Sequence, residues 1–248
     1  MEKIKKLKKL LEEYDLDAYL VPKNDEFFNE YVPQYKDKLK FISNFSGSYG
    51  FALISKNKNY LFVDGRYTLQ AKIQSGKLFK IITMPNKLPS EILKGKKLKV
   101  GFDPKLHTKK MLDIFFKNTN LTLLPIAENL IENISLKKRN NKFNKFYVLP
   151  KKAVGQNYTL KINKLVRKLI KKKIDLHFIS AGENIAWLLN IRGRDSEFTP
   201  MPNGYLIVNR NKKIKFFCDL RKISKSFKNK FKNIDFINIQ FTNFFLEE

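Results

Sequence analysis

The sequence predicts an α/β protein built from one supersecondary unit used twice. Three observations carry this. Segments with apolar residues at helical spacing alternate with short apolar runs of strand type. The order of these segments in the second half repeats that in the first, at an offset of about 155 residues. A hydrophobic fraction of 43% with 13% aromatics is enough to build a core, which excludes global disorder.

In the first half, Ile4, Leu7, Leu10, Leu11 and Tyr14 share one helical face, so residues 3–14 form an amphipathic helix. Residues 17–22, Asp17-Ala-Tyr-Leu-Val-Pro22, form a buried strand stopped by proline. A second short helix is expected at 25–31, followed by a turn-rich loop over 41–50. Residues 51–55 and 60–63 flank Lys-Asn-Lys-Asn and form a hairpin. Asp64-Gly-Arg-Tyr67 closes it and opens a helix through Ala71. Further strands are expected at 79–83, 98–103 and 121–125, with a helix at 107–117 between the last two.

The domain boundary falls where the chain turns polar and basic. A first domain spans 1–134, a linker 135–158 and a second domain 159–248. In the second domain a helix at 160–172 precedes a strand at 175–179, as 3–14 precedes 17–22. Gly204-Tyr-Leu-Ile-Val-Asn209 matches Gly50-Phe-Ala-Leu-Ile-Ser55, and 215–221 matches 60–66. The offsets for Asp17/Asp175, Gly50/Gly204 and Asp64/Asp219 are 158, 154 and 155 residues, so the indels are confined to loops. After Arg221 only a basic helix at 222–232 and a strand at 234–239 are expected, which makes the second copy truncated.

A formal charge of +27 suggests a polyanion partner, but the excess is spread over everything after residue 50. Lys outnumbers Arg about six to one, whereas base and phosphate readout leans on Arg. A specific nucleic-acid function is therefore not expected. No run approaches the ~18 apolar residues of a membrane span. A single cysteine, Cys218, fits a reducing, cytoplasmic compartment.

Few residues have the pattern of a chemical site. His107 and His177 lie in different domains and in no metal-ligand spacing; His177 reads as a core histidine and His107 as a helix-starting one. Cys218 reads as buried and inert. Ser46-Gly-Ser-Tyr-Gly50 precedes a strand rather than a helix, so it reads as a turn and not a phosphate loop. Asp64 can cap the following helix and Gly65 ease the turn, which leaves Arg66 as either a structural ion pair or a carboxylate or carbonyl contact. The segment 183–195 reads as a helix with an Ile185, Leu188 and Leu189 face, packing area from Trp187, and a charged turn of Arg192, Arg194 and Asp195 held by a local salt bridge.

These blocks together resemble the N-terminal region of Xaa-Pro aminopeptidases, members of the creatinase-like "pita-bread" metallopeptidases. The residues that carry the likeness are Asp17-Ala-Tyr-Leu-Val-Pro22, Phe41-Ile-Ser-Asn-Phe-Ser-Gly-Ser-Tyr-Gly50, Asp64-Gly-Arg-Tyr67, Val100-Gly-Phe-Asp-Pro104, Glu128-Asn-Leu-Ile131 and the Ile-Ala-Trp-Leu-Leu-Asn-Ile-Arg-Gly block within 183–195. They are similar to the longer, three-domain members. The resemblance implies two tandem creatinase N-terminal-type domains, each a mixed sheet flanked by helices, ahead of a catalytic domain absent from this chain. It also implies removal of an N-terminal residue before proline by a hydrolase holding two manganese ions. Their ligands, two Asp, a His and two Glu, belong to that third domain and map onto no residue here. The chain is thus expected to bind no cofactor and to be inactive alone, with the catalytic domain in cis and a homodimer possible. Whether residues 1–248 act as an enzyme stays open. Arg66 is the one residue transferred, as a contact to the peptide substrate. The alternative is a stand-alone binding or regulatory module.

Overall fold

The computed structural model describes residues 1–135, 143–196 and 198–247. The chain forms two compact units, Met1–Arg139 and Asn140–Glu248.

The first unit is a six-stranded mixed sheet with helices on both faces. In chain order its elements are α1 (Glu2–Glu13), β1 (Ala18–Pro22), α2 (Lys38–Ser43), β2 (Gly50–Ser55), β3 (Asn59–Asp64), α3 (Thr68–Ser75), β4 (Lys80–Met84), α4 (Pro89–Ile92), β5 (Lys99–Phe102), α5 (Lys109–Phe116), β6 (Thr122–Pro125) and α6 (Leu130–Asn133). The strand order is β4-β3-β2-β1-β5-β6. β1 is central and covered on both faces, which explains why it is a continuous apolar run instead of an alternating one. One core packs Leu7 and Leu11 of α1 and Leu130 and Ile131 of α6 against Tyr19 and Val21. The other packs Leu112, Phe115 and Phe116 of α5 against Ala18, Leu20, Phe51 and Phe62.

Two expectations fail here. Residues 25–31 are not a helix. The buried Asp25 carboxylate accepts from the backbone N–H groups of Phe27 and Asn29, both at 3.1 Å, and from the Asn29 side chain at 2.8 Å. That side-chain wrap competes with helical hydrogen bonding and wins. The helix forms instead at α2, partly within the stretch read as loop. Asp37 caps it, accepting from Lys40 N at 2.9 Å, and Leu39 and Ile42 bury its inner face. His107 is buried just ahead of α5, whose cap is Thr108. Its Nδ1–H donates to the Asp103 carbonyl at 3.0 Å, and burial pushes its pKa down.

The second unit contains β7 (Tyr147–Val148), α7 (Tyr158–Lys171), β8 (Leu176–Ile179), α8 (Gly182–Leu189), β9 (Ile191–Arg192), β10 (Tyr205–Asn209), β11 (Ile214–Cys218), α9 (Lys225–Lys230), β12 (Ile234–Asn238) and α10 (Phe244–Glu247). Its main sheet has the order β12-β11-β10-β8, and β7 pairs with β9. The duplication holds to the residue. Leu20 pairs with Leu53 and Phe178 with Ile207; Ala52 pairs with Leu61 and Leu206 with Phe216; Leu61 pairs with Ile81 and Phe216 with Phe236. Four strands therefore recur in the same order, sense and register. Among the described residues β5 and β6 have no counterpart.

The stretch 135–158 is more than a linker. Residues 136–142 lie outside the described residues, but from residue 146 onward the chain packs into the second unit. Phe146 is buried, with its ring 5.9 Å from that of Phe216, and its N–H donates to Lys222 O. One aromatic anchor in a Lys/Asn-rich context leaves no periodic signal, so composition alone misleads. His177 is also not a core residue. It is exposed because β8 is an edge strand where its counterpart β1 is central.

Cys218 is fully buried in β11, and burial pushes its thiol up to about 12. At pH 8 that leaves only about one thiolate in ten thousand. Reaction with an aromatic disulfide reagent should run at least ~100-fold slower on the native chain than after unfolding in guanidinium. A fast native reaction would show that β11 opens locally.

Candidate functional site: the Asp64–Arg66 clasp

β3 ends at Asp64, whose carboxylate accepts the Arg66 backbone N–H at 2.9 Å and so starts a 3-10 turn over Gly65–Tyr67. The same carboxylate holds the Arg66 guanidinium. Nε lies 3.2 Å from both oxygens and Nη2 2.6 Å from Oδ2. The pairing holds the Asp64 carboxyl below its usual value, chiefly through the Arg66 hydrogen bond, and raises Arg66 by the same bond. The Arg66 side chain stays 74% exposed and its guanidinium carbon stands 5.4 Å from the centre of the Tyr67 ring. Nη1 makes no hydrogen bond among the described residues.

The surroundings are polar and aromatic. The Tyr67 hydroxyl meets the Ser48 hydroxyl at 2.7 Å, and its ring sits edge-on to Phe45 at 5.9 Å. Gly47 is required there, since a Cβ would lie 2.2 Å from the Phe45 ring. Ser46 is tied to α3, with its N–H donating to Gln74 and its hydroxyl accepting from Gln70, both at 2.9 Å. The Ser46-to-Gly50 segment is therefore a packed turn over Tyr67. Arg66 stands at its edge as a charged donor whose carboxylate side is already matched. Exposure makes this pair worth little for stability. Asp64 fixes the orientation of the guanidinium fork.

The second copy repeats the clasp. Arg221 N–H donates to Asp219 at 3.0 Å, Nε to both oxygens at 3.0 and 3.2 Å, and Nη2 to Oδ2 at 2.7 Å. The clasp is thus a property of the repeat. What distinguishes Arg66 is its place over Tyr67, whose hydroxyl meets that of Ser48.

The segment 183–195 is organised differently from expectation. Arg192 donates to the Ala186 carbonyl at 3.0 Å and the Ile191 carbonyl at 2.8 Å, satisfying the end of α8. Asp195 pairs not with a neighbouring arginine but with Lys222, and accepts from Asn203 N–H at 2.7 Å. Arg194 is exposed. Trp187 is 62% exposed, so it supplies little core; Lys161 Nζ stands 4.3 Å over its ring. Sequence reasoning missed Lys161. Its buried ammonium donates to Trp187 O and Asn190 Oδ1, both at 2.6 Å. The available signal was a lysine beside Ile162 on the apolar side of α7.

Among the described residues no group of three or more His, Cys, Asp or Glu side chains is placed so that it could hold a metal ion. A cleft of about 380 Å³ gathers Glu26, Asp103, Glu128 and Glu132. Lys36 takes Glu26, Lys38 takes Glu132 at 2.9 Å, and Asn129 donates to Asp103 at 2.7 Å. These residues do not fit a dinuclear donor set, and no chemical step is derived through one. No helix among the described residues is long and apolar enough to cross a membrane.

The profile of the creatinase/prolidase N-terminal domain matches residues 3–132, and a second profile of that description matches 137–245. The chain belongs to the creatinase/prolidase N-terminal domain family. Two tandem domains of this family account for the two units and for the clasp in each. The chain is 34% identical over 239 residues to a protein of Coccidioides posadasii named Probable Xaa-Pro aminopeptidase P, covering 92% of this chain and 36% of that one. It is 30% identical over 242 residues to Xaa-Pro aminopeptidase 1 of Dictyostelium discoideum, covering 90% and 38%. The X-prolyl aminopeptidase of Caenorhabditis elegans, described as a cytosolic enzyme with a di-nuclear active site, superposes with a TM-score of 0.87 at 28% identity. That match covers 99% of this chain and 43% of the other. This creatinase/prolidase N-terminal chain thus spans about a third of the length of these curated relatives.

Proposed function

We propose that residues 1–248 are the substrate-orienting, non-catalytic N-terminal region of a metal-dependent Xaa-Pro aminopeptidase, and that Arg66 is their contact to the peptide. The observation that carries this reading is the clasp. Asp64 aligns an exposed Arg66 guanidinium near the Tyr67 ring and takes only Nε and Nη2, which leaves Nη1 for a peptide carbonyl or carboxylate. The names of the relatives supply the substrate class. The bond cleaved would precede a proline in the second position. The metal pair, manganese by family expectation, would act from polypeptide other than these residues.

Two measurements test the proposal. Purified 1–248, given manganese and an Xaa-Pro peptide, should release no amino acid above background; measurable turnover would overturn the non-catalytic assignment. In a complete enzyme carrying this region, Arg66→Ala should lower kcat/KM by roughly 10–100-fold, the size of one charge-assisted hydrogen bond. Arg66→Lys should recover little, because an ammonium cannot keep both Asp64 and the peptide. Unchanged kinetics in both variants would remove Arg66 from the site.

A further inference from the structure

The two units share a lysine–aromatic contact at the end of a helix, and it is closed in only one of them. In the second unit Lys161 of α7 reaches the end of α8. Its ammonium stands 4.3 Å over the Trp187 ring and donates to Trp187 O and Asn190 Oδ1, both at 2.6 Å. Asn190 ends α8 in the left-handed region, and its side-chain N–H donates to Gln156 O at 2.9 Å. The lysine is buried and both ends of the amide are used.

The first unit repeats the parts. Lys3 precedes Lys161 by 158 residues, the offset of Asp17 and Asp175, while Phe41 and Asn44 precede Trp187 and Asn190 by 146. Lys3 Nζ stands 4.3 Å over the Phe41 ring and donates to Phe41 O at 2.8 Å, and Asn44 ends α2 in the left-handed region. Here the arrangement is open. Lys3 is exposed, and the Asn44 side chain makes no hydrogen bond among the described residues.

Both residues line a cavity of about 940 Å³, together with Tyr35, Lys40, Phe41 and Ile134. That is within the roughly 300–1,000 Å³ of small-molecule sites. Its charge balance favours an anion. The two carboxylates on the wall are taken, Glu2 by Lys6 at 2.7 Å and Asp37 by Lys23 at 2.6 Å. Lys40 is half-buried, and neither it nor Lys3 has an ion pair among the described residues. Tyr35, 40% exposed, and Phe41 add aromatic surface.

We infer that this cavity binds a small anion carrying a planar ring. Lys3 and Lys40 take its phosphate or carboxylate through charge-assisted hydrogen bonds, the Asn44 amide adds a donor, and the ring lies against the aromatic wall. In the second unit the matching lysine and amide bind each other, so the same subsite is closed there.

The test titrates the intact, isotope-labelled chain with adenosine monophosphate and, separately, with naphthoate, and reads amide shifts by NMR. At least one probe should give saturable shifts at residues 3, 35, 40 and 44 with a Kd below about 1 mM; which one does so separates a phosphate from a carboxylate ligand. Adenosine, without the charge, and inorganic phosphate, without the ring, should each bind at least ~10-fold more weakly than adenosine monophosphate if that is the probe that saturates. Lys40→Met should weaken binding ~10-fold. Asn44→Gly, which keeps the left-handed backbone, should weaken it several-fold. Lys228→Met, on α9 of the second unit, should leave it unchanged. No saturation by either probe at ~10 mM, or unchanged affinity in both Lys40→Met and Asn44→Gly, would overturn the inference. So would equal losses in Lys40→Met and Lys228→Met, because the binding would then be attraction to the net charge alone.

Discussion

Asp195→Ala should destabilise the second unit by roughly 3–5 kcal/mol, the cost of leaving one member of a buried ion pair alone. The side chain of Asp195 is 3% exposed and that of Lys222 14%. Removing the carboxylate strands the ammonium beside the Phe146 ring and takes the acceptor from Asn203 N–H. Against the typical 5–15 kcal/mol of a domain, this brings the unit close to unfolding. Urea denaturation followed by Trp187 fluorescence, whose reporter lies in this unit, would measure it. Asp195→Ala with Lys222→Met should recover part of the loss, since the stranded charge is then gone. A single variant within 1 kcal/mol of the parent would refute the assignment.

Asp37→Ala should cost the first unit a comparable amount, by two separable routes. Asp37 Oδ2 meets Lys23 Nζ at 2.6 Å with side-chain exposures of 6% and 12%, and Oδ1 caps α2. The cap is worth about 1 kcal/mol and the broken pair roughly 3–5. Asp37→Asn keeps a capping oxygen and loses the charge, so it should fall between parent and alanine. Equal losses for Asn and Ala would mean that the cap contributes nothing. Denaturant midpoints at constant slope decide between these outcomes.

Both aspartates show where local reading stops. Asp195 looked like part of a self-contained charged turn with Arg192 and Arg194. Its partner lies 27 residues away, and Arg192 is used on helix carbonyls instead. Asp37 begins a six-residue helix too short to carry a periodic signal, while the 25–31 segment, which reads as helical, is bent by the Asp25 carboxylate. The candidate site was legible in part. Asp64 as cap and Arg66 as the informative charge follow from a strand end meeting a helix start. The Ser48–Tyr67 hydroxyl pair, which ties the turn to the clasp, does not. Nor could the sequence show that Arg221 is held in the same way, although the repeat places it at the matching position.

By itself the sequence determined the α/β class, the duplication, the strand order within each hairpin and the burial of Cys218. These follow from local period and from short apolar runs of strand type. The tertiary structure alone decided which strands are central and which are edges. β1 and β8 carry the same kind of run, yet one is sealed and the other open, because exposure depends on a neighbour strand that the run does not encode. It also decided the ion-pair partners. A charge specifies that it must be matched once buried, and only the packed chain brings its match within reach.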